Sequence, residues 1–154
     1  MKAGRMLGEL VFRAFITLRA LWAPVSLGVN AAVFNDRGQV LLVQHRYTPG
    51  WRLPGGGVDR GEPPELAVMR ELAEEVGLSG GGCEFHGLYV RKAGWVTQAV
   101  ALYRVRGGCV NFRPNLEFRE ICFADPGAPP EGSTPATRRR LAELAGGGKP
   151  THHW

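Results

Sequence analysis

Apolar residues along the 154-residue chain change their period several times, and each change marks an element. From Met6 to Trp22 Leu, Phe, Ile and Ala dominate, while Arg5, Glu9, Arg13 and Thr17 recur every fourth position, drawing a narrow polar stripe on a helix whose other faces are apolar. After Pro24 the pattern turns to short β-like runs. Gly28–Phe34 and Gln39–His45 flank the turn formers of Asn35-Asp36-Arg37-Gly38, which predicts a β-hairpin. Tyr47–Gly61 is rich in Gly and Pro and reads as loop, with room for a strand at Trp51–Leu53. Pro63-Pro64 opens a helix, because the first turn needs no N–H there, and Gly77 closes it. Phe85–Arg91, Trp95–Val105 and Phe118–Phe123 read as strands and Ala136–Ala145 as a last helix. The order predicts one mixed α/β domain with helices covering a sheet. It divides the chain into a helix over 1–24, a domain over 25–146 and a flexible tail over 147–154.

Glu9, Arg13 and Arg19 interrupt the first apolar run well short of the roughly 18–20 residues a membrane span needs, and no signal-peptide core stands there. A mostly buried helix is therefore expected, packed on the domain or on a second copy as a homodimer. The alternatives are peripheral membrane contact, with the helix on the bilayer surface and its Arg residues at the headgroups, and an Arg-rich transit segment.

Hydrophobic residues at 44% and charged residues at 21% exclude wholesale disorder and fibrous classes. Cys83, Cys109 and Cys122 form no C-x-x-C pair, which argues against a disulfide framework or zinc ribbon and for a cytoplasmic location. The net charge of +5 favours an anionic partner without choosing one.

The central helix narrows that choice. At roughly 100° per residue, Glu71, Glu74 and Glu75 share one face, while Leu66, Met69, Leu72 and Val76 hold the other. Like charges within a turn repel by about 0.2–0.5 kcal/mol per pair. Two readings stand: a solvated acidic face, or oxygen ligands for a hard divalent cation that holds substrate phosphates.

Gly56, Glu62, Arg70-Glu71-Leu72, Glu74-Glu75 and Gly77-Leu78 fill every specified position of G-x5-E-x7-R-E-U-x-E-E-x-G-U, where U is aliphatic. This resembles the signature of the Nudix hydrolases, and Trp51-Arg52-Leu53-Pro54-Gly55-Gly56-Gly57 is similar to the run that leads into that family's box. The resemblance implies the Nudix fold, an α/β/α sandwich around a mixed β-sheet, with the amino-terminal helix as an addition. It also implies cleavage of a pyrophosphate bond in a nucleoside diphosphate linked to another moiety, with Mg²⁺ or Mn²⁺ as cofactor.

Carried over residue by residue, the resemblance puts Glu71, Glu74 and Glu75 on the metal-binding glutamates and Arg70 on the position that holds a box carboxylate. Glu62 falls on a supporting or occasional ligand, and Gly55 on a glycine whose carbonyl binds metal. Gly56, Gly57, Arg52 and Trp51 are expected to meet the substrate. Glu117 resembles the acidic residue that relatives place on a later loop as general base, with Glu120 as the other acid of that segment and Cys122 where Trp is usual. Each has an ordinary reading too: Arg70 a surface ion pair, Glu62 a helix-start charge, Gly55 a turn. Trp51, Tyr89 and Trp95 could stack on a base or simply pack.

The intact glutamates favour turnover over a non-catalytic nucleotide-binding Nudix module, since loss of box carboxylates marks such members. A pyrophosphohydrolase acting on RNA ends or at a membrane surface is the remaining alternative; a small nucleotide is the expected substrate rather than nucleic acid. Residues 56–78 hold six acidic and two basic residues, a net −4, which leaves +9 on the rest of the chain. That division suits a metal site set in a phosphate-attracting surface.

Overall fold

The computed structural model describes residues 2–147 and 151–154, with side chains of the first helix described from residue 9. Among them the elements run α1 (Lys2–Trp22), β1 (Val25–Val33), β2 (Val40–His45), β3 (Trp51–Arg52), α2 (Pro64–Val76), β4 (Leu78–Ala93), β5 (Val96–Val110), β6 (Phe118–Ala124) and α3 (Pro135–Leu144). Two three-stranded sheets form, β1-β5-β4 and β3-β2-β6. β1 runs parallel to β5 and the other ladders are antiparallel.

Strand alternation builds two cores, one on each side of the sheets. Leu41, Val43, Ala31 and Tyr103 share one with Ala67, Val68, Leu72 and Val76 of α2; Val40, Leu42, Ala32 and Leu102 share the other with Leu141 of α3. Burial on both faces explains why Val40–Val43 is a continuous apolar run. The result is an α/β/α sandwich whose mixed sheet is divided in two.

Four expectations change. The hairpin does not form, because β1 and β2 lie in different sheets. The turn itself closes, Gly38 N donating to Asn35 O at 3.0 Å, but only the Phe34–Val40 bridge continues it. Both edges of β1 are already used: β5 takes one, and Val29 N and Ala31 N donate to Gly56 O and Pro54 O, both at 2.9 Å, on the other. Second, the strands expected at Phe85–Arg91 and Trp95–Val105 extend to Leu78–Ala93 and Val96–Val110. Gly80–Gly82 and Gly107–Gly108 hide the apolar alternation at those far ends.

Third, α1 is not buried on the domain: Leu10, Val11, Phe12, Phe15, Ile16, Leu18, Leu21 and Trp22 are 50–88% exposed. Arg5 of the polar stripe lies outside the residues whose side chains are described. No described helix is long and apolar enough to cross a membrane. Fourth, part of the expected flexible tail docks on the fold. Val90 N donates to His152 O at 2.8 Å and Trp154 N to Val90 O at 3.1 Å, so Thr151–Trp154 runs along β4. Arg140, 1% exposed, lies 3.9 Å over the Tyr89 ring and donates to Thr151 Oγ1 at 2.7 Å, which fixes that segment to α3.

Candidate active site

The helix α2 begins after Pro63, extended with ψ 135°, and ends at Gly77, whose φ of 64° lets its N–H cap Ala73 O. Val68, Leu72 and Val76 enter the core, which leaves Glu71, Glu74 and Glu75 along the flank toward the Gly55–Gly57 loop. Arg70 ties this flank together. Its Nε and Nη2 grip both oxygens of Glu62 at 2.9 Å, Nη1 donates to Glu71 Oε1 at 2.9 Å, and Nη2 also reaches Gly57 O at 3.0 Å. Glu74 Oε2 stands 3.6 Å from Nη1. Hydrogen bonds from Arg70 and then from the Asp59 N–H hold the Glu62 carboxyl down at about 2. Glu62, and then Glu71, raise the guanidinium in turn.

Two glycines let the loop approach. Gly55, at φ 140°, would put a Cβ 2.1 Å from Val29 O, and Gly56 would put one 2.4 Å from the Glu71 carboxyl carbon. Any side chain would force the loop off β1 and α2. The contact made instead is Gly55 N donating to Glu75 Oε2 at 2.9 Å. Glu75 is 8% exposed, and its carboxyl is pushed up to about 8 by burial, opposed by the Gly55 N–H and reinforced by Glu71, Glu117 and Glu74.

Glu117 comes from the loop just before β6, 42 residues after Glu75 in sequence. Asn115 Oδ1 accepts from the N–H groups of Glu117 and Phe118 at 2.9 and 2.7 Å, and Arg46 N donates to Glu117 O at 2.9 Å. The backbone is pinned while the carboxylate stays 65% exposed. Its Oε1 lies 3.9 Å from His45 Nδ1; burial lowers the His45 pKa, so that imidazole is neutral at pH 7 and the pair is not ionic there. Glu71, Glu74, Glu75 and Glu117 thus line one cleft of about 530 Å³, with no Lys or Arg among its described lining residues. Glu120, opposite Gln44 in the ladder, does not line it. Among the described residues no three carboxylates already converge on one point; Glu71 is held by Arg70 and Glu75 by Gly55.

A second cleft of about 550 Å³ adjoins the first through His45, Gly55 and Gly56. Arg52, Arg91 and Arg139 line it. Trp51, expected to meet the substrate, lines neither cleft. It faces opposite to Arg52 on β3 and packs against the α3-side core. Tyr89 is buried, donating to Glu143 Oε1 at 2.6 Å, and Trp95 projects 78% exposed from the β4–β5 turn, so neither lines a cleft. Sequence reading passed over Asn30, whose Nδ2 holds Leu53 O and Pro54 O at 3.0 and 3.1 Å and so fixes the glycine loop. Its signal was a lone amide inside an apolar strand. Arg91 and Arg139 carried no signal, because surface arginines are common.

The NUDIX domain model matches residues 24–143. The chain belongs to the Nudix family. A Bacillus subtilis protein provisionally named 8-oxo-dGTP diphosphatase is 31% identical over 120 residues, covering 78% of this chain and 80% of that one. An RNA pyrophosphohydrolase of Rhodospirillum rubrum is 43% identical over 61 residues, 39% of this chain and 37% of that one. Among solved structures, a MutT Nudix hydrolase from Burkholderia pseudomallei superposes with a TM-score of 0.67 at 27% identity, covering 76% and 95% of the two chains. As a Nudix hydrolase, the chain acts on phosphoric anhydrides.

Proposed function

We propose that this Nudix hydrolase is a metal-dependent pyrophosphohydrolase cleaving a nucleoside diphosphate linked to another moiety. The observation that carries the reading is the convergence of Glu71, Glu74 and Glu75 from α2 with Glu117 from the loop before β6 on one cleft without a lining cation. A divalent ion fits this set: the donors are hard oxygens, and Glu75 is buried among like charges with only one N–H to offset them. Glu71 and Glu75 would hold Mg²⁺ or Mn²⁺, with Glu74 and the Gly55 carbonyl as further oxygens. When bound, the ion neutralises phosphate oxygens and lowers the pKa of water.

The protein's own groups do the rest. Arg70, anchored by Glu62, holds the Glu71 carboxylate against Gly56, where any side chain would collide with it. The Gly56–Gly57 backbone orients the pyrophosphate, and Arg52, in the adjoining cleft, meets the part of the substrate beyond it. The Glu117 carboxylate takes the proton that water loses as its oxygen bonds to phosphorus, and the bridging P–O bond breaks to release two phosphate-bearing products. The test is hydrolysis by the purified chain, with Mg²⁺ or Mn²⁺, of a panel of nucleoside diphosphate derivatives, nucleoside triphosphates and a 5′-triphosphorylated oligoribonucleotide. Turnover of at least one compound is expected. None at all would replace the enzyme reading with a non-catalytic nucleotide-binding module.

A second reading concerns where the enzyme works, and α1 favours it. From residue 9 onward, Glu9, Arg13 and Arg19 fall within roughly 120° of the helix, an arc that also holds Phe12 and Ile16, while Leu10, Val11, Phe15, Leu18, Leu21 and Trp22 occupy the opposite arc. The α1 segment carries four basic residues and one acidic. Its exposed apolar arc beside a basic one suits an anionic bilayer surface, whereas two copies would bring like charge together. The full chain should pellet with anionic phospholipid vesicles and stay in solution with zwitterionic ones, with Phe15→Glu/Leu18→Glu abolishing pelleting. Equal pelleting of the variant removes this reading.

A further inference from the structure

The second cleft is the chemical opposite of the first. Arg52 on β3, Arg91 on β4 and Arg139 on α3 line it, with no Asp or Glu among its described lining residues. Neither Arg52 nor Arg91 takes part in an ion pair among the described residues. Arg91 Nε donates to Gln98 Oε1 at 2.5 Å, a neutral acceptor, while Arg139 Nη2 is already held by the Trp154 main-chain oxygen at 2.6 Å. Arg52 Nε is buried and donates to nothing. Arg52 and Arg91 bring positive charge to the cleft with no acidic partner, and a buried donor left unpaired is destabilising. An anion in the cleft relieves both.

Guanidinium forks match the oxygens of a phosphate, and a phosphomonoester's charge of about −1.5 to −2 is the right sign and size to meet them. The cleft is roomy enough for a nucleoside as well, since ligand pockets run from about 300 to 1,000 Å³. Its continuity with the carboxylate cleft through Gly55 and Gly56 lets one ligand occupy both.

We infer that the arginine-lined cleft binds a further phosphate of the substrate, outside the anhydride that is cleaved, so the preferred substrate is a nucleotide phosphorylated on its sugar. The inference rests on the hydrolase reading for the position of the scissile group but not for the binding itself. Arg91 and Arg139 are then specificity residues that select among nucleotides.

The probes are adenosine 2′,5′-bisphosphate, adenosine 3′,5′-bisphosphate and AMP, titrated into the full chain by calorimetry. None contains an anhydride, so the result stands whether or not the hydrolysis panel succeeds. At least one bisphosphate should bind about tenfold or more tighter than AMP, the effect of one charge-assisted contact. Whichever isomer binds tighter identifies the phosphorylated hydroxyl. In Arg91→Gln and Arg139→Gln the preference should shrink severalfold, with Arg91→Lys recovering part of it. Because Arg139→Gln also frees Trp154, Arg91→Gln carries the test if that variant is poorly folded. Equal affinity for AMP and both bisphosphates overturns the inference. So does a preference that survives unchanged in Arg91→Gln.

Discussion

Two clefts of nearly equal size meet at Gly55 and Gly56, one lined by four carboxylates and the other by three guanidiniums. They differ in how their charges are held. In the acidic cleft Arg70 supports Glu71 from behind through a fork anchored on Glu62, and the Gly55 N–H holds Glu75. In the basic cleft Arg91 and Arg139 are exposed and rest on Gln98 and on the Trp154 main-chain oxygen. A preorganised cluster suits chemistry, where misplacement costs rate, whereas looser surface cations suit attraction and selection of a ligand. On the function proposed above, the acidic cleft governs turnover and the basic one substrate choice.

Breaking the acidic side should have the largest effect. Glu71→Gln or Glu75→Gln should lower kcat by about 10²-fold or more with the fold retained by circular dichroism, and full activity in both would dissolve the metal assignment. Glu117→Gln should cost about 10²-fold in kcat, while Glu120→Gln stays within about twofold; the reverse order would move the proton acceptor to Glu120. Arg70→Ala should cost about 10–100-fold, the usual penalty for losing a group that orients a ligand. Arg70→Lys should recover little, because an ammonium cannot serve Glu62, Glu71 and Gly57 at once.

A pH experiment without metal sharpens the contrast. The Glu75 carboxyl sits at about 8 in the fold against an ordinary 4.5. Between those values the folded chain keeps a proton that the unfolded chain has lost, so stability falls as pH rises through that window. Denaturant titrations at pH 5 and 8.5 should show a decline of up to a few kcal/mol, removed in Glu75→Gln. A slope retained in that variant would place the titration elsewhere. The smallest effect belongs to the basic side. Thr134 Oγ1 accepts from Thr137 N at 3.2 Å at the start of the helix bearing Arg139, so Thr134→Ala should cost about 1 kcal/mol in thermal unfolding.

Much of the acidic cleft was legible in the chain because it is local. Glu71, Glu74 and Glu75 lie within two turns of one helix, and Pro64 and Gly77 mark its ends through backbone rules that act over one or two residues. The basic cleft was not legible: β3, β4 and α3 bring together Arg52, Arg91 and Arg139 from positions with no common period or spacing. The misread hairpin has the same origin. Asn35–Gly38 does make its turn, but the competition for β1's edges is settled by β5 and by the glycine loop, both remote in sequence.

The sequence by itself determined the family, the box helix with its facing carboxylates, and the segregation of −4 in the box from +9 elsewhere. Only the tertiary structure decided which strands pair, that Trp51 turns into the core while Arg52 faces a cleft, that Thr151–Trp154 docks on β4, and that α1 stands exposed. Those outcomes depend on which partner wins a shared edge or face, a comparison of energies between distant segments that no local pattern encodes.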